Sequence, residues 1–234
     1  MSYRKVSFSE KEYFHIYSRG NSKQKIFFNE KDYEHFVKLL YLSNTEKSIK
    51  FRDDIVRAGI DAFDFKRGEP MVSIGAWVLM PNHFHIYLTI NPHMSDMCIL
   101  NKKEGNHISE YMRKLLTSYT KYINTKYKRT GGLFESNFKA EHIKNDNQAK
   151  YLFSYIHLNP IKLIQSDWKD NGINDIKKTL QYLQSYKWSS YLDYRKIQRK
   201  ENLILACENF PDYFKDVHNF DIEILEWLNF KEEL

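Results

Sequence analysis

Two histidines one residue apart, His83 and His85, could act together as ligands of a divalent metal ion. Side chains alternate between the two faces of a β-strand, so a strand here would place both imidazoles on one face and Phe84 on the other. The rise of the strand separates the imidazoles by about 7 Å, from where both could reach one ion. Because the chain contains nine histidines, a chance pair without a metal is the alternative interpretation.

Tyr155 and Asn159 form a second candidate pair, in the stretch Y-I-H-L-N-P. Four residues apart on a helix, they would share one face. A tyrosine hydroxyl has a pKa of about 10 and is a poor nucleophile by itself, but it can attack a phosphate that a metal ion polarises. The amide oxygen of Asn159 would suit a hard ion as a third ligand. The alternative is a core tyrosine, one of 17, followed by an asparagine that ends a helix.

Apolar spacing and turn residues predict the elements that must hold these side chains. The predicted strands cover 11–18, 71–80, 83–90 and part of 133–143, and the predicted helices cover 30–42, 107–127 and 147–158. Their order, β-α-β-β-α-β-α, predicts an α+β fold in which a ferredoxin-like antiparallel sheet packs against helices. We divide the chain into a main domain, 1–165, with an insertion at 43–70, and a helical C-terminal extension, 166–234.

Charge is distributed unevenly along the chain, whose net charge is +6 at pH 7. Residues 101–150 hold 11 Lys and Arg against 5 Asp and Glu, whereas residues 201–234 hold 2 against 9. A basic central segment is typical of a surface that binds phosphate groups, and a solvated helix face is the alternative.

Composition excludes several classes of protein. No run of apolar residues reaches the roughly 18 to 20 that a membrane span needs, and the first residues lack the apolar region of a signal peptide. The two cysteines, Cys98 and Cys207, have no metal-binding spacing. We therefore expect a cytoplasmic protein without a disulfide framework and without a membrane partner.

The motifs together resemble the single-tyrosine transposases of the HUH nuclease superfamily, of the IS200/IS605-like type and especially of the REP-associated tyrosine transposase branch. The resemblance covers about residues 11–195. Its motifs are Y-S-R-G-N at 17–21, A-W-V-L-M-P-N-H-F-H at 76–85, G-G-L-F-E-S-N-F-K at 131–139, Y-I-H-L-N-P at 155–160 and W-S-S-Y at 188–191.

The resemblance implies a role for each matched residue. His83, His85 and Asn159 would hold Mg²⁺ or Mn²⁺, although relatives often have Gln at the third position. Tyr155 would attack single-stranded or hairpin DNA, giving a 5′-phosphotyrosine and a free 3′-hydroxyl. Basic residues would follow the DNA phosphates; those expected to do so are Arg113, Lys114, Lys121, Lys126, Lys128, Arg129 and Lys139. Arg19 would either contact DNA or cap the sheet.

Several alternatives remain open at this point. A catalytically silent protein of the same fold could bind hairpin DNA without cutting it. A zinc hydrolase could use the His pair, but no carboxylate or cysteine ligand lies at close spacing. Relatives include both monomers and homodimers. The apolar residues of the acidic end, Ile222, Leu225, Trp227 and Leu228, favour docking onto the main domain, with dimerisation or shielding of a DNA groove as the alternative.

Overall fold

A single antiparallel sheet organises the computed structural model, which describes residues 6–93, 107–211 and 220–226. Its strands are β1 (Tyr13–Arg19), β2 (Val72–Met80), β3 (His83–Ile90) and β4 (Lys139–Ile143), in the spatial order β2-β3-β1-β4. The long helices are α1 (Glu30–Leu42), α2 (His107–Lys126) and α3 (Asp146–Leu158). This is the ferredoxin-like α+β arrangement, so the predicted fold class is confirmed.

The two faces of the sheet carry different layers. Helices α1 and α2 cover one face, where they bury Phe84, Ile86 and Leu88 of β3. Helix α3 covers the other face, where Tyr87 of the same strand packs. Because strand side chains alternate, His83 and His85 lie on the face that α3 covers.

The alternation of side chains along β2 is interrupted partway along the strand. Its register against β3 shifts between Ile74 and Ala76, so that Ile74 and Trp77 both face the layer of α1 and α2. A side-chain carbon at Gly75 would lie 2.8 Å from the Phe210 ring, so a larger residue here would displace that ring. The strand reads as a continuous apolar run because all of its residues are buried, with apolar clusters on both faces of the sheet.

Side-chain caps fix the starts of α1 and α3, which were predicted at 30 and 147. Asn29 and Asp32 form a capping box at the start of α1, and Asn145 caps α3 by accepting from the backbone of Gln148. Helix α3 ends at Leu158, as expected from the following Asn-Pro pair. The chain nevertheless continues as a 3-10 helix, Asn159–Leu163, because proline is tolerated in a first helical turn.

The insertion at 43–70 folds back against α1. It contains a π-helical turn, Phe51–Arg57, and a 3-10 turn, Ala62–Asp64. The Asn44 amide bonds both the N–H and the C=O of Val72, which ties the insertion to the start of β2. The insertion therefore belongs structurally to the layer of α1.

The C-terminal extension covers the outer edge of β2. Its helices are α4 (Trp168–Asn171), α5 (Ile176–Ser185), α6 (Tyr191–Tyr194) and α7 (Phe220–Glu226). The W-S-S-Y motif supplies the contact, since Leu79 N–H donates to Trp188 O and Ser190 N–H donates to Trp77 O. Backbone groups that an edge strand would expose are thereby paired.

Helix α7 docks onto α3. Phe220 and Ile224 are buried in the same apolar cluster as α3, and Asp221 pairs with Arg195. Ile222 is exposed and Leu225 is partly buried, whereas Trp227 and Leu228 lie outside the described residues. Among the residues that the structure describes, the acidic end thus packs onto the main domain.

Two smaller expectations concern membranes and thiols. Within residues 6–93, 107–211 and 220–226, no helix is long and apolar enough to cross a membrane. Cys207 is a free, half-buried thiol, and Cys98 lies outside the described ranges.

Candidate functional site

His83 and His85 project from β3 into the layer of α3. Their ring centroids are 5.1 Å apart and their planes are nearly perpendicular. Phe84 points the other way and packs against Phe36, with 5.2 Å between ring centroids. The structure therefore gives the His-Phe-His stretch the alternation that its sequence predicts.

The hydrogen bonds of His83 leave one ring nitrogen free for a ligand role. Its Nδ1 lies 2.6 Å from Asn82 Oδ1, and the Asn82 amide is oriented by donating from Nδ2 to Lys23 O at 3.1 Å. The Asn82 oxygen must therefore accept from Nδ1–H of His83, which leaves Nε2 unprotonated in the neutral ring. Burial lowers the pKa of His83 to about 4, so this ring is neutral at pH 7.

His85 is buried between strands. Its Nδ1 lies 2.8 Å from Nε2 of His15 on β1, and Glu141 of β4 approaches the far side of His15. Burial, followed by the neighbouring His15, lowers the pKa of His85 well below 6.5. Two neutral imidazoles thus stand side by side on one face of the sheet.

Tyr155 lies over this face from helix α3. Its ring stands edge-on to His85, with 5.3 Å between centroids and 76° between planes. Lys169 Nζ lies 3.7 Å from the centre of the Tyr155 ring. Burial raises the pKa of Tyr155, so the phenol is protonated at neutral pH.

Asn159 completes the group at the start of the 3-10 helix. It is 2% exposed, and its Oδ1 is a buried oxygen without a well-formed hydrogen bond among the described residues. The side-chain amide interacts with both His83 and Tyr155, which raises the pKa of His83 and lowers the pKa of Tyr155, each against a larger effect of burial. An unpaired buried oxygen costs about 1 to 3 kcal/mol, and a bound cation would offset that cost.

The candidate donor set comprises two imidazole nitrogens and one amide oxygen. Imidazole nitrogens suit zinc and other transition metals, whereas an amide oxygen suits a hard ion such as Mg²⁺ or Mn²⁺. In the part of the chain that the structure describes, no three His, Cys, Asp or Glu side chains are arranged to hold a metal ion. A zinc site of the usual hydrolase kind would need such a group.

A cleft of about 620 Å³ opens beside Tyr155. Strand β4 forms one side of the cleft, and Tyr17 and His85 also line it. Tyr151, one turn before Tyr155 on the same helix, lines it with a parallel ring 6.4 Å away. The cleft therefore has aromatic walls and room for part of a nucleotide strand next to the candidate nucleophile.

Only some of the predicted DNA-binding cations lie near this cleft. Lys139 is on the same face, with Nζ 6.0 Å from the centre of the Tyr17 ring. Arg19 pairs with His83 across the strands, but its guanidinium bonds Glu135. This ion pair connects the end of β1 to the stretch at 131–139.

The remaining predicted cations lie elsewhere. Helix α2 packs on the opposite face of the sheet, so its basic residues do not surround His85. Arg113 pairs with Glu110, Lys126 pairs with Asp32, and Lys114 donates to the carbonyl of Lys47. Lys121 is exposed on the same helix, and Lys128 and Arg129 follow its end. Nearness in sequence to the candidate site did not translate into nearness in space, and a DNA contact by these residues stays a prediction.

Four residues of the site were missed by sequence reasoning: His15, Glu141, Lys162 and Lys169. His15 and Tyr17 alternate within the predicted first strand, which was a usable signal, but only the pairing of β1 with β3 and β4 brings them to His85. Lys162 and Lys169 follow the Asn-Pro pair, and their charges lower the pKa of His83 and His85, respectively.

Comparison with known proteins found a solved structure with a similar backbone fold and no match among protein families or curated proteins. No protein-family model matches the chain, and no curated protein does. One solved structure with a similar path is that of a REP-associated tyrosine transposase bound to a REP hairpin. It is 13% identical, and the match covers 86% of this chain and 90% of that chain with a TM-score of 0.49. The chemistry of the site is therefore argued from its own residues.

Proposed function

We propose that this protein is a DNA transposase, a metal-dependent endonuclease and strand transferase for single-stranded DNA whose nucleophile is Tyr155. The observation that carries the proposal is that His83, His85 and Tyr155 meet on one face of the sheet, with the buried Asn159 amide interacting with both His83 and Tyr155.

His83, His85 and Asn159 would hold the metal ion. Mg²⁺ or Mn²⁺, when bound, would supply a positive charge that polarises a phosphodiester oxygen. The neutral ligands suit a substrate that is already negative. Lys162 and Lys169 add two positive charges beside the site, and neither has an ion pair with a described carboxylate within 4 Å.

The cleavage step exchanges one phosphodiester for another. The Tyr155 oxygen bonds to phosphorus, the bond from phosphorus to the leaving 3′ oxygen breaks, and the phenolic proton is balanced by the proton that this 3′-hydroxyl gains. The products are a 5′-phosphotyrosine and a free 3′-hydroxyl. Attack of such a hydroxyl on a second phosphotyrosine rejoins strands without a nucleotide cofactor.

Covalent trapping tests this proposal. The full chain is incubated with labelled single-stranded and hairpin DNA and with Mg²⁺ or Mn²⁺, and the products are separated on a denaturing gel. We expect a metal-dependent protein–DNA adduct that is absent in Tyr155→Phe. The matched control is Tyr151→Phe, which removes the same hydroxyl one turn earlier in the same cleft and should retain the adduct.

The other outcomes point to specific alternatives. DNA binding without an adduct under any metal would indicate a catalytically silent hairpin-binding protein of the same fold. An adduct that persists in Tyr155→Phe and disappears in Tyr151→Phe would move the nucleophile by one helical turn. Cleavage that leaves no covalent adduct and requires Zn²⁺ would favour a hydrolase.

A further inference from the structure

We propose that Glu141 and His15 are positioning residues that fix the tautomer of His85, so that its Nε2 carries the lone pair for a metal ion. The inference rests on the proposed metal site, but its evidence is separate. It comes from a line of three side chains across three strands, β4, β1 and β3.

The contact between His15 and His85 permits two arrangements. The Nε2 of His15 and the Nδ1 of His85 are 2.8 Å apart in the buried sheet, so one ring must donate and the other accept. If His85 donates from Nδ1, its Nε2 is free to bind a metal. If His15 donates from Nε2, the proton of neutral His85 sits on its own Nε2, where it blocks a ligand role.

Glu141 decides between the two arrangements. Its Oε2 lies 3.6 Å from Nδ1 of His15, a distance at which a carboxylate favours an N–H and repels a lone pair. His15 therefore carries its proton on Nδ1, and its Nε2 must accept from His85. The pKa of Glu141 is lowered to about 2, and the hydrogen bond with His15 is the largest cause. This is expected for a carboxylate that faces an N–H of His15.

The carboxylate is itself held in place. Tyr17 donates its hydroxyl hydrogen to the other oxygen, Oε1, at 2.7 Å. His15 and Glu141 are direct partners in the β1–β4 register, so the backbone sets their approach. A ligand histidine usually donates its second ring N–H to a carboxylate, a carbonyl or a water. Here His15, itself backed by Glu141, takes the place of that acceptor.

The second candidate ligand histidine, His83, also carries its proton on Nδ1, but a different neighbour accepts the hydrogen bond. Asn82 accepts from Nδ1 of His83, which also leaves Nε2 free. His15 and Asn82 therefore each accept a hydrogen bond from the Nδ1 of a candidate ligand histidine. Both histidines are left with an unprotonated Nε2.

The tautomer can be read directly by ¹⁵N NMR of the histidines in the metal-free full chain at neutral pH. We expect His85 to be protonated at Nδ1 in the wild type and to become a mixture of tautomers in Glu141→Gln. Glu141 has a 59% exposed side chain, so this variant removes one charge without opening the core. A wild-type His85 protonated at Nε2 would overturn the inference.

Metal affinity supplies the second readout. Titration with Mn²⁺ should show binding weaker by roughly 10- to 100-fold in His15→Phe and by about 10-fold in Glu141→Gln. The matched control is His142→Gln, which breaks another His–carboxylate pair, with Glu12, from the neighbouring position of β4 on the opposite face of the sheet. Its Mn²⁺ affinity should be unchanged.

The two proposals fail in different ways. If the DNA adduct forms while neither variant changes the tautomer or Mn²⁺ binding, the positioning role is wrong and the transposase proposal stands. If both readouts behave as expected and no adduct forms, the positioning role stands and the proposed reaction is wrong.

Discussion

Tyr155 stands edge-on to His85 within one chain, with 5.3 Å between their ring centroids. The two residues come from helix α3 and strand β3, which pack directly on each other. The candidate nucleophile, both candidate imidazole ligands and Asn159 therefore meet without a contribution from a second copy.

This arrangement predicts that each chain cuts DNA by itself. A mixture of Tyr155→Phe and His85→Ala should form no adduct, because neither variant holds a complete site. Gel analysis of the mixture beside each variant alone makes the measurement. Recovery of an adduct in the mixture would show that the tyrosine of one copy serves the histidines of another, as in a homodimer that exchanges helices.

Asn159 should lower the stability of the metal-free protein and strengthen its binding of a metal ion. Asn159→Leu replaces the unpaired buried oxygen by an apolar group of similar size, so we expect the free energy of unfolding to rise by about 1 kcal/mol. Mn²⁺ affinity should fall by at least about 10-fold because a ligand is lost. Urea denaturation and Mn²⁺ titration of the same preparation give both numbers. A stability loss with unchanged affinity would instead assign Asn159 a purely structural role.

Lys169 should contribute to binding of the cleaved strand. Lys169→Gln removes the charge 3.7 Å from the Tyr155 ring, and we expect cleavage to slow by roughly 10-fold. The salt dependence of single-strand binding should become shallower by about 0.7, the contribution of one phosphate contact.

Lys121→Gln is the matched control for this change. It removes the same charge from the opposite layer of the sheet, and a short oligonucleotide that covers only the cleft should be cut at the wild-type rate. Equal losses in the two variants would mean that DNA reaches both layers. Such a result would support the predicted DNA contact of the α2 cations.

His35 should make the protein less stable in mild acid. Its ring stacks on Tyr122 with 3.8 Å between centroids, and burial lowers its pKa from 6.5 to about 4. The unfolded chain then binds more protons between these two values, so stability is lost as pH falls from 6.5 towards 4, by at most about 1.4 kcal/mol per pH unit.

His35→Phe provides the comparison. It keeps the stack on Tyr122 and removes the titration, so its free energy of unfolding should fall less steeply between pH 7 and pH 5. Denaturant unfolding at several pH values measures both slopes. Parallel slopes would show that His35 is solvated and protonates freely in the folded chain.

Features set by neighbouring residues were predictable from the sequence alone. Alternation along a strand placed His83 and His85 on one face, and helical spacing placed Tyr155 and Asn159 together. Apolar spacing and turn residues also predicted the observed bounds of α1, 30–42. The order of the elements then gave the fold class, because few topologies satisfy it.

Tertiary structure decided which of these faces met. Only the pairing of β1 with both β3 and β4 brings His15 and Glu141 to His85. Only the layer order places α2 and its cations on the far side of the sheet, contrary to their nearness in sequence. Local periodicity predicts that a residue is buried, but it does not predict which helix or strand packs against that residue. The packing partner depends on contacts between residues that are distant in the chain.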